Sequence, residues 1–244
     1  MVVQTPTQHG FTLFGPVHLA ILCAVPALAG LLSYAQRRFP ASGKFIRFGL
    51  AVTLLIDTAV FYAWQLKSHN LTFPDHLPLE LCDASLALTI LSLFLLRPLL
   101  FDLAYYWALA GASMAMLTPN LWEPFPSFGT VQFFVAHGLT VAGVLYLLWS
   151  GQARPRPWSV ARAIIGVNIF AAFVGPFDYF YKTNYFYLRS KPANPSLLDF
   201  LGPWPVYIAG AELVTLVLFL LLYSPARLKR GIKSVQMEPA LGKD

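Results

Sequence analysis

The sequence predicts an all-α fold, a polytopic transmembrane bundle of about seven helices, and three observations carry that prediction. Of 244 residues, 57% are hydrophobic and only 11% charged, where a soluble domain carries about 25% charged residues; mean hydropathy is +0.60. Only lipid solvates that much apolar surface. The apolar residues fall into blocks of about 17 to 23, long enough to cross a hydrocarbon core of about 30 Å as helices. The alternation expected of a membrane barrel is absent.

Pro, Gly and charges punctuate the blocks and set the expected spans. The first, 16–35, opens at Gly15-Pro16 and stops before Arg37-Arg38. The second, 45–66, lies between Lys44 and Lys67, and the third, 78–96, runs from Pro78 to Arg97. The fourth, 99–118, follows so closely that Arg97-Pro98 serves as a loop only if the helix ends contribute to the turn. The fifth, sixth and seventh cover 128–149, 159–180 and 203–224. Residues 1–224 thus form one transmembrane domain, and 225–244 a basic tail expected on the cytoplasmic surface. No Lys or Arg precedes the first block and no small-residue cleavage site follows it, so it is expected to stay as a helix and not to act as a signal peptide. Cys23 and Cys82, far apart and both in apolar blocks, do not make a disulfide framework.

A net charge of +6 does not indicate nucleic acid, because the basic residues sit in short clusters between apolar blocks. They read as topology signals. With seven spans, one side receives Arg37, Arg38, Lys44, Arg47, Arg97, Arg154, Arg156, Arg162 and the five basic residues after Ser224, thirteen of the seventeen. The other receives Lys67, Lys182, Arg189 and Lys191. Cytoplasmic loops carry the excess, so the expected arrangement is an outside N-terminus and a cytoplasmic C-terminus. Trp64, Trp122, Trp149, Trp158 and Trp204 lie near span ends, where indole prefers the headgroup region. The longest connection, 181–201, is rich in aromatics and prolines and reads as an ordered external loop. No internal repeat suggests a repeat-built transporter.

Ionisable and polar groups inside spans cost about 2.5 to 3.5 kcal/mol each on insertion scales, so they face the bundle interior or water. The candidates are His18, Asp57, Glu80, Cys82, Asp83, His137, Asn168 and, more weakly, Glu212. Cys82 lies between Glu80 and Asp83, in a Pro78-Leu-Glu-Leu-Cys-Asp segment more polar than lipid contact explains. As a buried cysteine it also reads as a small hydrophobe. Two neighbouring carboxylates disfavour a thiolate, so a nucleophilic Cys82 needs a cationic or hydrogen-bonding partner. His137, a turn or two deeper on the fifth span, is the candidate, acting as base toward the thiol and then as acid toward the leaving group. A structural histidine is the alternative. Asp57, near mid-span, is expected to pair with His18, Asn168 or His137 in a polar core. Glu80 and Asp83 share a helix face and either orient His137 and polar lipid groups or mark the water interface. Asp178, near a span end, is expected to be solvated. No Gly-x-Ser-x-Gly, phosphate loop, Cys-x-x-Cys or His-Glu-x-x-His occurs, so no metal, nucleotide or other cofactor is implied.

Leu77-Pro-Leu-Glu-Leu-Cys82-Asp, Leu117-Thr-Pro-Asn120, Val131-Gln-Phe-Phe-Val-Ala-His137-Gly, Thr183 through Pro192 and Ser196 through Pro205 together resemble the bacterial YwaF-type membrane family, which is similar to the eukaryotic transmembrane protein 164 acyltransferases. The resemblance covers nearly the whole chain. It implies a catalytic pair at Cys82 and His137 that moves a fatty acyl chain between phospholipids. The androgen-induced membrane hydrolases resemble this plan more distantly, with Thr in place of Cys.

Two functions remain open on these grounds. One is a Cys-dependent phospholipid acyltransferase or acyl hydrolase acting on membrane phospholipids or lysophospholipids, with Glu80, Asp83, Asp57, His18 and Asn168 binding substrate or supporting the pair. The other is a small-solute or proton-linked transporter in which Asp57, Glu80, Asp83 and His18 line a polar cavity. The sequence leaves the oligomeric state open.

Overall fold

A computed structural model describes residues 7–8, 11–68, 71–121, 123–192 and 196–237. Among them the chain forms seven helical rods: α1 Pro16–Arg38, α2 Ser42–Lys67, α3 Leu81–Leu95, α4 Pro98–Leu117, α5 Phe128–Trp149, α6 Ser159–Tyr181 and α7 Val206–Met237. Six are long and apolar enough to cross a membrane, and α3 is a shorter apolar helix. The fold is the expected all-α polytopic bundle, with a two-residue antiparallel pair, Thr7–Gln8 against Phe11–Thr12, ahead of α1. Trp122 lies outside the described residues, as do 238–244 of the tail; the backbone of α7 continues as helix to Met237.

Two spans start later than expected for local reasons. The seventh helix starts at Val206 because Pro203 and Pro205 bracket an irregular turn that supplies no regular helical N–H pattern. The third starts at Leu81: Glu80 is extended, with φ −76° and ψ 154°, and its N–H donates to Asp83 Oδ2 at 3.1 Å, a side-chain cap of the kind that begins helices. With 15 residues, α3 is about 22 Å long, roughly 8 Å short of the hydrocarbon thickness.

The deficit lies at the beginning of α3. At its other end α3 turns directly into α4 through Leu96, in the left-handed region at φ 50°, and extended Arg97, with Pro98 at the first helical position. The helix ends do contribute to that turn: Arg47 donates to the Leu93 carbonyl at 2.6 Å, supplying the donor that the last carbonyls of α3 lack. From this turn α4 rises beside α3. A Cβ on Gly111 would meet Leu81 Cδ2 at 3.7 Å, so the start of α3 is level with Gly111, and α4 continues about 9 Å beyond it to Leu117. The middle of α4, Trp107–Ala112, is a π-helical segment, a rare departure that is frequent at functional sites.

The core joins α2, α3, α4, α5 and the far half of α7 through Leu54, Leu93, Phe101, Tyr106, Val144, Leu147 and Phe219. Close approach of α3 and α5 requires Gly143, where a Cβ would meet Thr89 Cγ2 at 3.2 Å and Leu93 Cδ1 at 3.3 Å. The basic residues read as topology signals also tie this end of the bundle together. Asp102, fully buried, accepts from Arg156 Nε at 2.9 Å, from the Arg156 backbone N–H at 3.1 Å and from Arg162 Nε at 3.0 Å. Arg37 donates to the Trp149 carbonyl at 2.6 Å, capping α5.

Candidate functional site

The recessed start of α3 puts Cys82 in the first helical turn, below the rim formed by the neighbouring rods. It is the second residue of α3, at the positive end of the helix. Cys82 is half-buried and in no disulfide, as is Cys23 apart from its greater exposure. Glu80 in the preceding loop accepts from the Phe186 N–H at 3.0 Å.

The connection between α6 and α7 forms the roof. Tyr185 donates its hydroxyl to the Pro74 carbonyl at 2.7 Å and accepts from the Leu77 N–H at 2.7 Å. Its own N–H, at 3.0 Å, and the Thr183 hydroxyl, at 2.7 Å, donate to Asp178 Oδ1. Asp178 is therefore not solvated as expected from its place near a span end: it is fully buried because it organises this turn. Phe186 and Tyr187 adopt φ of 56° and 52°, conformations that non-glycine residues take at some cost and that surrounding contacts must hold. The Tyr207 hydroxyl does so, donating to the Tyr187 carbonyl at 2.6 Å. The Tyr187 phenol hydrogen-bonds Asn120 and lies within electrostatic range of Glu80 and Cys82. Burial first, then Glu80, raises its pKa, so it remains a donor at neutral pH. Tyr62 on α2 lies within the same range of Asp83 and Cys82.

His137 lies deeper, half-buried on α5. Its Nδ1 is 2.8 Å from the Phe133 carbonyl. A carbonyl only accepts, so Nδ1 carries the hydrogen and Nε2 presents a lone pair, the tautomer a general base needs. The Phe133 ring, centred 4.2 Å away, packs against the imidazole. Gly143 marks the register of α5 against Thr89 and Leu93; counting back at about 1.5 Å per residue puts Cys82 about 2 to 8 Å nearer the roof than His137. No hydrogen bond joins the two among the described residues, an arrangement compatible with pairs that tighten only around substrate.

The remaining candidates are dispersed. His18 is fully buried, its Nδ1 accepting from the Phe14 N–H at 2.9 Å and its Nε2 donating to the Met116 carbonyl at 2.8 Å. Both nitrogens thus pin the start of α1 to the end of α4. Asp57 pairs with none of its three expected partners; Gln132 Nε2 donates to it at 3.0 Å, linking α2 to α5. Asn168 donates to Glu212 Oε1 at 2.8 Å, linking α6 to α7. Sequence reasoning missed Tyr62, Tyr187, Gln132 and the role of Asp102. Tyr187, its partner Asn120 and Gln132 carried a signal, as members of the motifs quoted above. Among the described residues no three His, Cys, Asp or Glu side chains converge as metal ligands.

A protein of Treponema pallidum (strain Nichols), described as uncharacterized, is 27% identical to this chain over 220 residues, covering 89% of the chain and 90% of the relative. No solved structure matches. The model of the TMEM164 family matches residues 6–223, which takes in all seven rods through the apolar part of α7 together with the roof over Cys82. The seven-rod integral membrane protein described above thus belongs to the TMEM164 family.

Proposed function

We propose that this protein is a phospholipid acyltransferase of a YwaF-type bacterial branch, with Cys82 as nucleophile and His137 as general base. The observation that carries the reading is the His137 tautomer: the Phe133 carbonyl holds the hydrogen on Nδ1 and leaves Nε2 to accept a proton, on the helix packed against the one that bears Cys82.

The Cys82 thiol gives its proton to His137 Nε2 as the sulfur attacks the ester carbonyl carbon of a phospholipid. The positive end of the α3 dipole favours the negative charge that develops there. Collapse of the tetrahedral adduct breaks the ester C–O bond, and the lysophospholipid alkoxide leaves with the proton from His137. The acyl chain is then a thioester on Cys82. A lysophospholipid hydroxyl gives its proton to His137, attacks the thioester and releases the thiolate, which recovers the proton. Water in place of the second lipid gives hydrolysis by the same steps. A solute pathway gains less support, because His18, Asp57 and Asn168 are each committed to a different helix contact. By the distribution of arginines, the Arg47, Arg156 and Arg162 end of the bundle faces the cytoplasm and Cys82 opens toward the outer leaflet.

The test is mass spectrometry of acyl redistribution between defined phospholipids and lysophospholipids in vesicles, at equal amounts of folded protein. Wild type exchanges chains, and Cys82→Ala and His137→Ala each lower the rate by at least about a hundredfold, the scale of lost acid–base catalysis. Wild-type protein that moves no acyl chain, or an alanine variant as active as wild type, refutes the reading.

A further inference from the structure

The basic residues divide unevenly between the two ends of the bundle. By their order along the spans, thirteen of seventeen belong to the Asp102 end, where topology accounts for them. The four at the opposite end are Lys67, Lys182, Arg189 and Lys191, and the last three all belong to the connection between α6 and α7 that roofs Cys82. None of these pairs with a carboxylate: among the described residues the ion pairs are those of Arg156 and Arg162 with Asp102.

Arg189 and Lys191 are held in place by neutral groups. Arg189 Nη1 donates to the Thr183 carbonyl at 3.0 Å, and the backbone N–H groups of Arg189 and Ser190 donate to Asn184 Oδ1 at 3.0 and 2.9 Å. A guanidinium has five N–H groups; among the described residues nothing else accepts from this one, and the residue is exposed. The Lys191 ammonium stands 5.6 Å from the centre of the Tyr207 ring and 3.5 Å from the Asp199 carbonyl. The Asp199 carboxylate is engaged instead by the Ser196 N–H, at 2.8 Å. Two positive charges are thus left without a counter-ion.

Both stand over the Cys82 site. Leu188, one residue before Arg189, accepts at its carbonyl from Trp204 Nε1 at 3.0 Å, and the exposed Trp204 ring marks the headgroup level. Tyr207, whose ring meets Lys191, donates its hydroxyl to the Tyr187 carbonyl at 2.6 Å, and the Tyr187 phenol lies within electrostatic range of Cys82. The adjoining Phe186 N–H is bonded to Glu80 at 3.0 Å, two residues before Cys82. The cations are therefore level with lipid headgroups, and Cys82 is recessed beneath the same turn. A glycerophospholipid has the same order of groups, with the phosphate at headgroup level and the acyl esters just below it.

We propose that Arg189 and Lys191 hold the headgroup phosphate of a phospholipid while its ester lies at Cys82. The proposal rests on the acyltransferase reading and names the feature by which the site selects its substrates. Arg offers a phosphate a fork of N–H groups and Lys a point charge. One such subsite serves both half-reactions, because the phospholipid donor and the lysophospholipid acceptor each carry a glycerophosphate. It leaves the glycerol hydroxyl of the acceptor free to give its proton to His137. Diacylglycerols and monoacylglycerols, which have esters and hydroxyls but no phosphate, are poor substrates. Both residues bind substrate and take no part in bond making.

The test is equilibrium binding to the full chain carrying Cys82→Ala, which removes turnover, in maltoside micelles, which contain no phosphate. The probes are a fluorescent lysophosphatidylglycerol and the monoacylglycerol with the same chain. Lys191→Gln and Arg189→Gln each lower the affinity for the lysophospholipid by about tenfold, the effect of one hydrogen bond to a charged group, and leave that for the monoacylglycerol unchanged. Lys191→Arg, which keeps the charge, retains binding, and Lys67→Gln, which removes a charge elsewhere at this end, changes nothing. Lys191→Gln decides the question if Arg189→Gln does not fold. A lysophospholipid affinity that is unchanged in Lys191→Gln, or lowered as much by Lys67→Gln, overturns the proposal. Inorganic phosphate distinguishes a lipid from a free anion: it fails to displace the lysophospholipid at equal concentration, and displacement there overturns the assignment to a lipid headgroup. Since binding is read without turnover, such results leave the acyltransferase reading standing, while absent acyl exchange in wild type refutes that reading separately.

Discussion

At the scale of single residues, partners decide what a polar group inside this bundle does. His18 and His137 are both histidines in apolar helices, yet they hold opposite tautomers: His18 donates from Nε2 to Met116 and His137 from Nδ1 to Phe133. The first has both nitrogens committed and is a tie between helices; the second keeps one free for chemistry. Sequence ranked both as candidates because the cost of burying an imidazole is visible in a sequence and the identity of its partner is not. Asp102 makes the same point in reverse. It drew no notice between Phe101 and Leu103, but it is fully buried against Arg156 and Arg162. Its removal leaves Arg156 and Arg162, which are part-exposed, to water but takes away their charge-assisted hydrogen bonds. Asp102→Ala therefore destabilises the folded protein by about 1.5 to 3 kcal/mol, seen as a drop in Tm in detergent micelles. An unchanged Tm rejects that account of the cluster.

At the scale of elements, the short α3 does the most to make a site. Its N-terminal cap at Glu80 starts the helix below the rim, and its tight turn into α4 fixes the other end, so Cys82 is held at depth. Register against α5 comes from Gly143. Gly143→Leu adds a side chain where a Cβ alone already meets Thr89 Cγ2 at 3.2 Å and Leu93 Cδ1 at 3.3 Å. It destabilises the bundle by about 1 to 3 kcal/mol and lowers acyl exchange by shifting Cys82 relative to His137. Thermal unfolding and the vesicle assay read the two effects; full exchange with a lowered Tm would separate the α3–α5 register from the chemistry. The apolar blocks made these helices legible within about three residues, apart from the end of α7, which continues to Met237. The true start of α3 was not, because hydropathy continues through Pro78 and Leu79 while the cap depends on the backbone of Glu80.

At the scale of the whole molecule, two ends of different character emerge. One is braced by arginines on helix C-termini and on Asp102; the other is closed by the Tyr185–Tyr187 turn over Cys82. The proposed orientation predicts that a membrane-impermeant maleimide, added to intact cells, labels a cysteine placed at Lys191 and spares one placed at Arg154, in a Cys23→Ser, Cys82→Ser background. The reverse pattern inverts the topology and moves the site to the inner leaflet. The sequence by itself determined that the chain is an all-α membrane bundle, roughly where its seven helices lie, and which polar residues a lipid environment would not leave unexplained. Those facts follow from local transfer energies and helix length. Only the tertiary structure decided which of those residues meet: that Asp57 goes to Gln132 and Asn168 to Glu212, that Asp178 organises the roof, and that Tyr62 and Tyr187 stand near Cys82. Such pairings depend on the register and rotation of helices distant in the chain, and hydropathy, which records how much of a segment is apolar, holds no information about either.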